Sequence, residues 1–374
     1  MAGEKDAPRA AAAKGAAQAA AGREAAANGD PFAPLELGHR GTGPLLRLRN
    51  RVVMAPMASG RANPDGSVSQ RLLDHYRERA EGGLLGLVEC GHHFVTADGQ
   101  ATPRQASISR DDDLCGLRLE ARVLHECDTP VFVQLSHAGS AARPQVTRQV
   151  ALSPSGVNCP GAKVGQPQPR IMTHADIARV VDAFGRATRR ARLAGFDGVE
   201  LHAAHGYLLD QFLSPLTNLR QDDYGGSLEG RLHITLEALD AARAEAGDMA
   251  VSVRLGGCDY MPGGTTVEDA REAAVLLARH GADMISISGG MNYYTRRDTL
   301  EPGWFKGVSG PVREALAAAG LPVPVMLTGG IRSIRDAQAL LGEGACDLVG
   351  IGRPILNNER WAKRNLHAGA EPAR

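Results

Sequence analysis

From residue 51 onward, short apolar runs alternate with longer stretches in which apolar residues recur at i, i+3, i+4 and i+7. The short runs, at 52–55, 84–89, 131–135, 198–201, 250–255, 284–288, 323–328 and 348–351, predict strands. The longer stretches, at 70–81, 112–127, 174–193, 228–246, 266–280, 309–319 and 333–342, predict amphipathic helices. Thr173-His174-Ala175-Asp176 and Thr265-Thr266-Val267-Glu268 have the hydroxyl-to-carboxylate spacing of a capping box, so helices are expected to start there. Strands that alternate with helices pair in parallel, and this repeat number predicts an α/β fold of the (β/α)8 TIM-barrel type. The alternative, a doubly wound open sheet, usually offers a glycine-rich turn after its first strand, and no G-x-G-x-x-G follows 52–55. A small hairpin near 45–48 is expected to close the barrel floor. The Pro- and Gly-rich segment 139–170 interrupts the rhythm, and a loop of that length is usually functional, so it is expected over the site.

Active sites of such barrels sit at the C-terminal ends of the strands. The most informative end is Val199-Glu200-Leu201-His202-Ala203-Ala204-His205-Gly206-Tyr207, where an apolar strand runs into two histidines three apart and then a tyrosine. Imidazoles can hold an oxyanion and a phenol can give a proton. His202, His205 and Tyr207 are therefore the candidate catalytic residues, suited to polarising a carbonyl and protonating a carbon. The plainer alternative is a capped strand with surface histidines; a lone histidine would favour it, and this grouping does not.

The other strand ends carry Pro56-Met57-Ala58, Glu89-Cys90, Gln134 with His137, Arg254, Ser288-Gly289-Gly290, Gly329-Gly330 and Gly352-Arg353. Either glycine site alone reads as an ordinary strand-to-helix turn. Two at adjacent strand ends, each leading into a helix, point to phosphate binding, because glycines let backbone N–H groups approach an anion. Arg254 inside a barrel needs an anionic partner, so a structural salt bridge and a ligand contact are equally open. Gln134, both donor and acceptor, could read the edge of a heteroaromatic ring.

Composition narrows the function classes. Lys plus Arg equals Asp plus Glu, 42 each, and no basic stripe is visible, so no nucleic-acid partner is expected. No run of eighteen apolar residues occurs, so no membrane span is expected. The six cysteines are scattered with no C-x-x-C, which offers no ligand set for zinc or an iron–sulfur cluster; no metal is expected. Residues 1–30 are Ala-rich with almost nothing to bury and no apolar core for a signal peptide. They are expected to be a disordered tail, and the location cytoplasmic.

The residues resemble the old yellow enzyme family of FMN-dependent ene-reductases, over roughly 49–363. The most specific stretch is His202-Ala203-Ala204-His205-Gly206-Tyr207-Leu208-Leu209-Asp210-Gln211-Phe212-Leu213-Ser214-Pro215, continuing through Asn218, Arg220, Asp222 and Tyr224-Gly225-Gly226-Ser227. Supporting motifs are Asn50-Arg51-Val52-Val53-Met54-Ala55-Pro56-Met57, Gln134-Leu135-Ser136-His137-Ala138-Gly139 and Gly350-Ile351-Gly352-Arg353-Pro354.

The resemblance implies a single FMN-binding TIM-barrel domain over 31–374, with NADH or NADPH as electron donor and a small-molecule substrate; a homo-oligomer is left open. Pro56, Met57 and Ala58 would lie along the flavin, with Cys90 near its edge. Gln134 would bond the pyrimidine part of the ring, and Arg254 would stabilise the reduced flavin anion. Gly329, Gly330, Gly352 and Arg353 would hold the phosphate, with Arg296 a further candidate. His202 and His205 would bind a carbonyl oxygen, and Tyr207 would protonate the α-carbon after hydride reaches the β-carbon. Departures from the family pattern are Ala58, where Thr or Cys is usual, Gly60, Ser140 and Gly230.

Four other readings compete. A Schiff-base aldolase needs a lysine at a strand end, and Lys5, Lys14, Lys163, Lys306 and Lys363 do not end strands. A metal hydrolase would need more ligands beside His202 and His205; His92 and His93 are the remaining candidates, and surface or lid positions are expected for both. A flavin-binding protein without turnover conflicts with the intact His202, His205 and Tyr207. A flavin-dependent desaturase or isomerase would use the same residues, with Tyr207 as base.

Overall fold

Eight of the apolar runs close into one parallel barrel in the computed structural model, which describes residues 29–40, 43–160, 162, 165–296 and 298–366. Twelve strands are present among these residues: β1 (Leu35–Arg40), β2 (Gly43–Leu48), β3 (Val52–Met54), β4 (Leu87–Phe94), β5 (Val131–Ser136), β6 (Leu152–Ser153), β7 (Arg170–Ile171), β8 (Gly198–Ala203), β9 (Ala250–Gly256), β10 (Met284–Ser288), β11 (Val325–Thr328) and β12 (Leu348–Ile351). The barrel runs β3-β4-β5-β8-β9-β10-β11-β12 and closes where Val349 of β12 pairs with Val52 of β3. Closure removes every edge, so each strand's backbone groups are paired on both sides.

The helices that return each strand are α1 (Gln70–Ala80), α2 (Leu114–His125), α4 (His174–Ala194), α6 (Leu228–Ala246), α7 (Val267–Arg279), α8 (Lys306–Ala318) and α9 (Ile334–Gly342); α3 (Pro144–Thr147), α5 (Leu208–Leu213), α10 (Arg353–Asn357) and α11 (Trp361–Leu366) are short. Capping boxes open three of them. Thr173 pairs with Asp176 at α4, Thr266 with Asp269 at α7, and Ser333 with Asp336 at α9. The α7 box therefore lies one residue beyond the expected Thr265-to-Glu268 frame.

The β1–β2 hairpin plugs the floor. Leu35, Leu37 and Leu48 pack with Val53, Leu87, Phe132, Ala250, Met284, Met326 and Leu348, which sit at the N-terminal ends of the barrel strands. Leu37 and Leu48 are fully buried, a contribution of roughly 1.5–3 kcal/mol each. The segment 139–170 is partly ordered by α3 and by the short parallel pair β6–β7. Among the described residues no helix is long and apolar enough to cross a membrane. The expected tail at 1–30 lies outside the described residues, except for its last two positions.

Candidate active site

After β8 the chain turns through two consecutive left-handed residues, His205 at φ 60° and Gly206 at φ 70°. A histidine pays for that conformation in strain, and surrounding bonds impose it. The His205 N–H donates to the Gly289 carbonyl at 3.1 Å, and the Leu208 N–H to the His137 carbonyl at 2.9 Å. Asp210 Oδ2 accepts from the Gly206 N–H at 2.7 Å, while Gln211 Nε2 donates to the Gly206 carbonyl at 2.7 Å. The turn delivers the three predicted residues to one place. The His202 ring centroid lies 4.9 Å from that of His205 and 4.8 Å from that of Tyr207. His205 Nε2 is 2.7 Å from Ser288 Oγ, and His202 Nδ1 is buried without a protein partner.

Burial sets the protonation states. It holds the His202 imidazole well below its ordinary value, helped by His205, His92 and Arg254, and does the same to His205, helped by Arg254 and His92. Both rings are neutral at pH 7. Burial also pushes the Tyr207 phenol up to about 12, so it carries its proton. Two neutral imidazoles and a protonated phenol can bind an oxygen and give a proton.

Beneath this cluster a polar layer crosses the barrel interior. Gln134 and Glu200 are register partners, as are Arg254 and Ser286. Glu200 accepts from Gln134 Nε2 at 2.7 Å, Arg254 Nε at 3.0 Å and Ser286 Oγ at 2.6 Å. Arg254 Nη2 reaches Glu89 Oε2 at 3.3 Å, and Glu89 Oε1 has no partner. Burial, reinforced by Glu200, raises the Glu89 carboxyl well above the usual range. The anionic partner that Arg254 requires is therefore supplied within the protein, chiefly by Glu200. The guanidinium and Gln134 still form a fixed polar surface suited to the hydrogen-bonding edge of a planar ring.

The glycine sites at the ends of β11 and β12 are adjacent, as expected, and a residue that the sequence reading missed joins them. Trp304 Nε1 is buried without a partner, and a Cβ on Gly330 would lie 2.6 Å from it. The Arg353 guanidinium stands 5.0 Å from a Trp304 ring centroid. Gly352 faces Met57, whose sulfur would be 3.5 Å from an added Cβ. An orphan indole N–H, glycines without side chains beside it and an arginine suit a phosphate. Pro56 and Met57 are half-buried and Ala58 is exposed. Arg296 is committed elsewhere, to Asp298 and to the face of Tyr260 at 4.2 Å.

Two expectations are corrected. Cys90 does not face the barrel interior. Glu89 points inward to Arg254, so strand alternation turns Cys90 outward, where it packs in the main core against Tyr76 and Glu120. His92 and His93, expected at the surface or on a lid, are both buried. His93 pairs with Glu120 of α2 at 3.0 Å, whereas His92 joins the active cluster, 5.2 Å from Tyr207 and 6.1 Å from His202 between ring centroids.

Comparison with known proteins gives the family. Residues 31–369 match the model of the NADH:flavin oxidoreductase / NADH oxidase family. The chain is 37% identical over 318 residues to an NADPH dehydrogenase of Geobacillus thermodenitrificans, covering 84% of this chain and 89% of that one. It is 36% identical over 326 residues to an NADH oxidase of Thermoanaerobacter brockii, covering 85% of this chain but only 49% of that protein, so it spans about half that relative's length. Among solved structures, morphinone reductase in complex with tetrahydroNAD superposes with a TM-score of 0.76 at 27% identity, covering 92% of each chain. The 2-naphthoyl-CoA reductase complex superposes at 0.80 and 25% identity, covering 90% of this chain and 52% of that one. The chain belongs to the NADH:flavin oxidoreductase / NADH oxidase family, the old yellow enzymes, FMN-dependent oxidoreductases that use NADH or NADPH.

Proposed function

We propose that the chain reduces an activated C=C bond, one conjugated to a carbonyl. The observation that carries this reading is the single cluster of His202, His205 and Tyr207, with neutral imidazoles and a phenol that holds its proton. His202 and His205 bind the carbonyl oxygen and stabilise the negative charge that develops there. Tyr207 gives its proton to the α-carbon. Bound FMN supplies hydride chemistry, drawing on NADH or NADPH and serving the β-carbon. Pro56, Met57 and Ala58 would line the flavin, and Gln134 and Arg254 would face its polar edge. Gly329, Gly330, Gly352, Arg353 and Trp304 would hold its phosphate. This work belongs in a reducing cytoplasm, where NAD(P)H is supplied.

A desaturase would run the same atoms in reverse with Tyr207 as base. A phenol pushed up to about 12 is poorly suited to that role and well suited to acting as an acid once the substrate carbanion forms. The deciding experiment reduces the holoenzyme anaerobically with NADPH, then mixes it with cyclohex-2-enone. Rapid reoxidation with formation of cyclohexanone is expected. Reoxidation by oxygen alone, across a panel of enones, would leave the chain an NAD(P)H oxidase and end this reading.

A further inference from the structure

Strand β4 carries an irregularity just where it reaches the site. Cys90 pairs with Val133 of β5 and His93 with Leu135, so three steps on β4 oppose two on β5. That is a one-residue bulge, and a bulge shifts which face later side chains occupy. With Glu89 inward, regular alternation would send His92 outward and His93 inward. The reverse is found: His93 meets Glu120 of α2, and His92 meets Tyr207. Gly91 is what permits it. A Cβ there would lie 2.3 Å from Pro56 Cβ and 2.6 Å from the Met57 nitrogen, so only glycine allows the bulge to press on that segment.

The bonds around His92 fix its tautomer. Gln105 Oε1 accepts from the Ala101 N–H at 2.7 Å, which orients the amide. Its Nε2 then faces His92 Nδ1 at 2.8 Å. An amide nitrogen only donates, so Nδ1 accepts and the ring proton sits on Nε2. Ser136 Oγ lies 2.8 Å from the same nitrogen, accepts from Gln105 Nε2 at 3.2 Å and donates to the His93 carbonyl at 3.3 Å. The rings of His202 and Tyr207 and the adjoining His93 also neighbour it. Burial, with His93, holds the His92 imidazole down at about 4, so the ring is neutral at pH 7. Its Nε2 stands 3.5 Å from the Tyr207 oxygen.

We propose that His92 is a positioning residue for proton transfer: its Nε2–H donates to the Tyr207 oxygen, turns the phenol's own proton toward the substrate and stabilises the phenolate left behind. The proposal rests on Tyr207 being the proton donor. In the step, the Tyr207 O–H bond breaks, a C–H bond forms at the α-carbon, and the negative charge moves to the phenolate oxygen. His92 keeps its proton throughout. A hydrogen bond to an ionised oxygen is worth more than one to a neutral oxygen, so its loss is felt in the transition state.

The test compares His92→Phe, His92→Gln, Tyr207→Phe and the double variant His92→Phe/Tyr207→Phe as holoenzymes, with cyclohex-2-enone and 1-nitrocyclohexene as probes. His92→Phe is expected to slow enone reduction about ten- to hundredfold. His92→Gln, which can still donate an N–H, recovers most of the rate. The nitroalkene, whose carbanion needs no immediate proton, is affected far less. The double variant is no slower than Tyr207→Phe alone, because His92 acts only through the phenol. Independently of turnover, the 13Cζ NMR signal of Tyr207, identified by its absence in Tyr207→Phe, shifts in His92→Phe at pH 7. If Tyr207→Phe slows the enone but His92→Phe does not, this proposal fails and the reading of Tyr207 stands. If Tyr207→Phe changes nothing, that reading fails first. If His92→Phe costs as much again in the Tyr207→Phe background, its role is merely structural and the proposal is overturned. Should His92→Phe not fold, Gln105→Leu frees the tautomer and carries the test; a wild-type rate there overturns the proposal.

Discussion

Arg254 Nε lies 3.0 Å from Glu200 Oε1 in the fully buried centre of the barrel. Its second carboxyl neighbour, Glu89, has its proton affinity raised by burial, so Glu200 is the chief counter-charge. Glu200→Ala therefore leaves the buried guanidinium with Glu89 alone as its acidic partner. The loss on urea unfolding is expected to be about 3–5 kcal/mol. Glu200→Gln, which keeps an acceptor oxygen but no charge, should fall between. A Glu200→Ala protein as stable as wild type would mean that water reaches Arg254.

Trp304 and Arg353 gather at the ends of β11 and β12 with their polar atoms available to a phosphate. Arg353→Ala is expected to weaken FMN binding about ten- to hundredfold, the scale of hydrogen bonds to a charged group. Riboflavin, which has the ring but no phosphate, separates the causes. Its affinity should be the same in both proteins, read by fluorescence titration after flavin removal. Equal losses for FMN and riboflavin would place Arg353 at the ring instead.

The barrel was legible because its strands are fully buried apolar runs and its helices keep one apolar face, both visible as periods in the sequence. The cluster of His202, His205 and Tyr207 was legible for a related reason: His202 lies at the end of one strand and the other two follow it, all within six positions, so any strand-to-helix turn keeps them close. What the sequence concealed came from local breaks in period. The bulge between Cys90 and His93 exchanges the two faces after Gly91, and a count by twos then puts His92 outside. Trp304 escaped because it lies in the connection after β10 and reaches the phosphate end by tertiary packing, against Gly330 at the end of β11. The first hairpin strand was missed because Leu35 and Leu37 alone make too short an alternation.

Buried neutral histidines tie stability to pH. The unfolded His92 titrates near 6.5 and the folded one at about 4. Its folded value is depressed, so its contribution is fully present above about pH 6.5 and declines as pH falls toward the folded value. Between pH 6.5 and 5 the wild type should lose roughly 1.5 kcal/mol that His92→Gln does not lose. Urea unfolding at both pH values measures the difference. Parallel pH profiles for the two proteins would show that His92 is already protonated, or solvated, in the native state.

Tyr207→Phe probes the chemistry with one atom. It keeps the ring's contacts with His202 and His92 and removes only the hydroxyl. The buried phenol holds its proton to about 12, so at pH 7 nearly every molecule of wild type is ready to donate. Without that donor, reduction of cyclohex-2-enone by the reduced enzyme should fall by roughly 10²–10⁴. A nitroalkene should still be reduced, because its carbanion survives until water protonates it. Flavin reduction by NAD(P)H requires no proton from this residue, so the defect should lie in the oxidative half-reaction alone. That partition is what separates a proton donor from a residue that merely shapes the pocket: lost packing would slow both alkenes and disturb the nicotinamide step. If the variant reduces enones at the wild-type rate, the proton comes from water or from a group on the 139–170 segment, and His202 and His205 remain as the oxygen-binding pair.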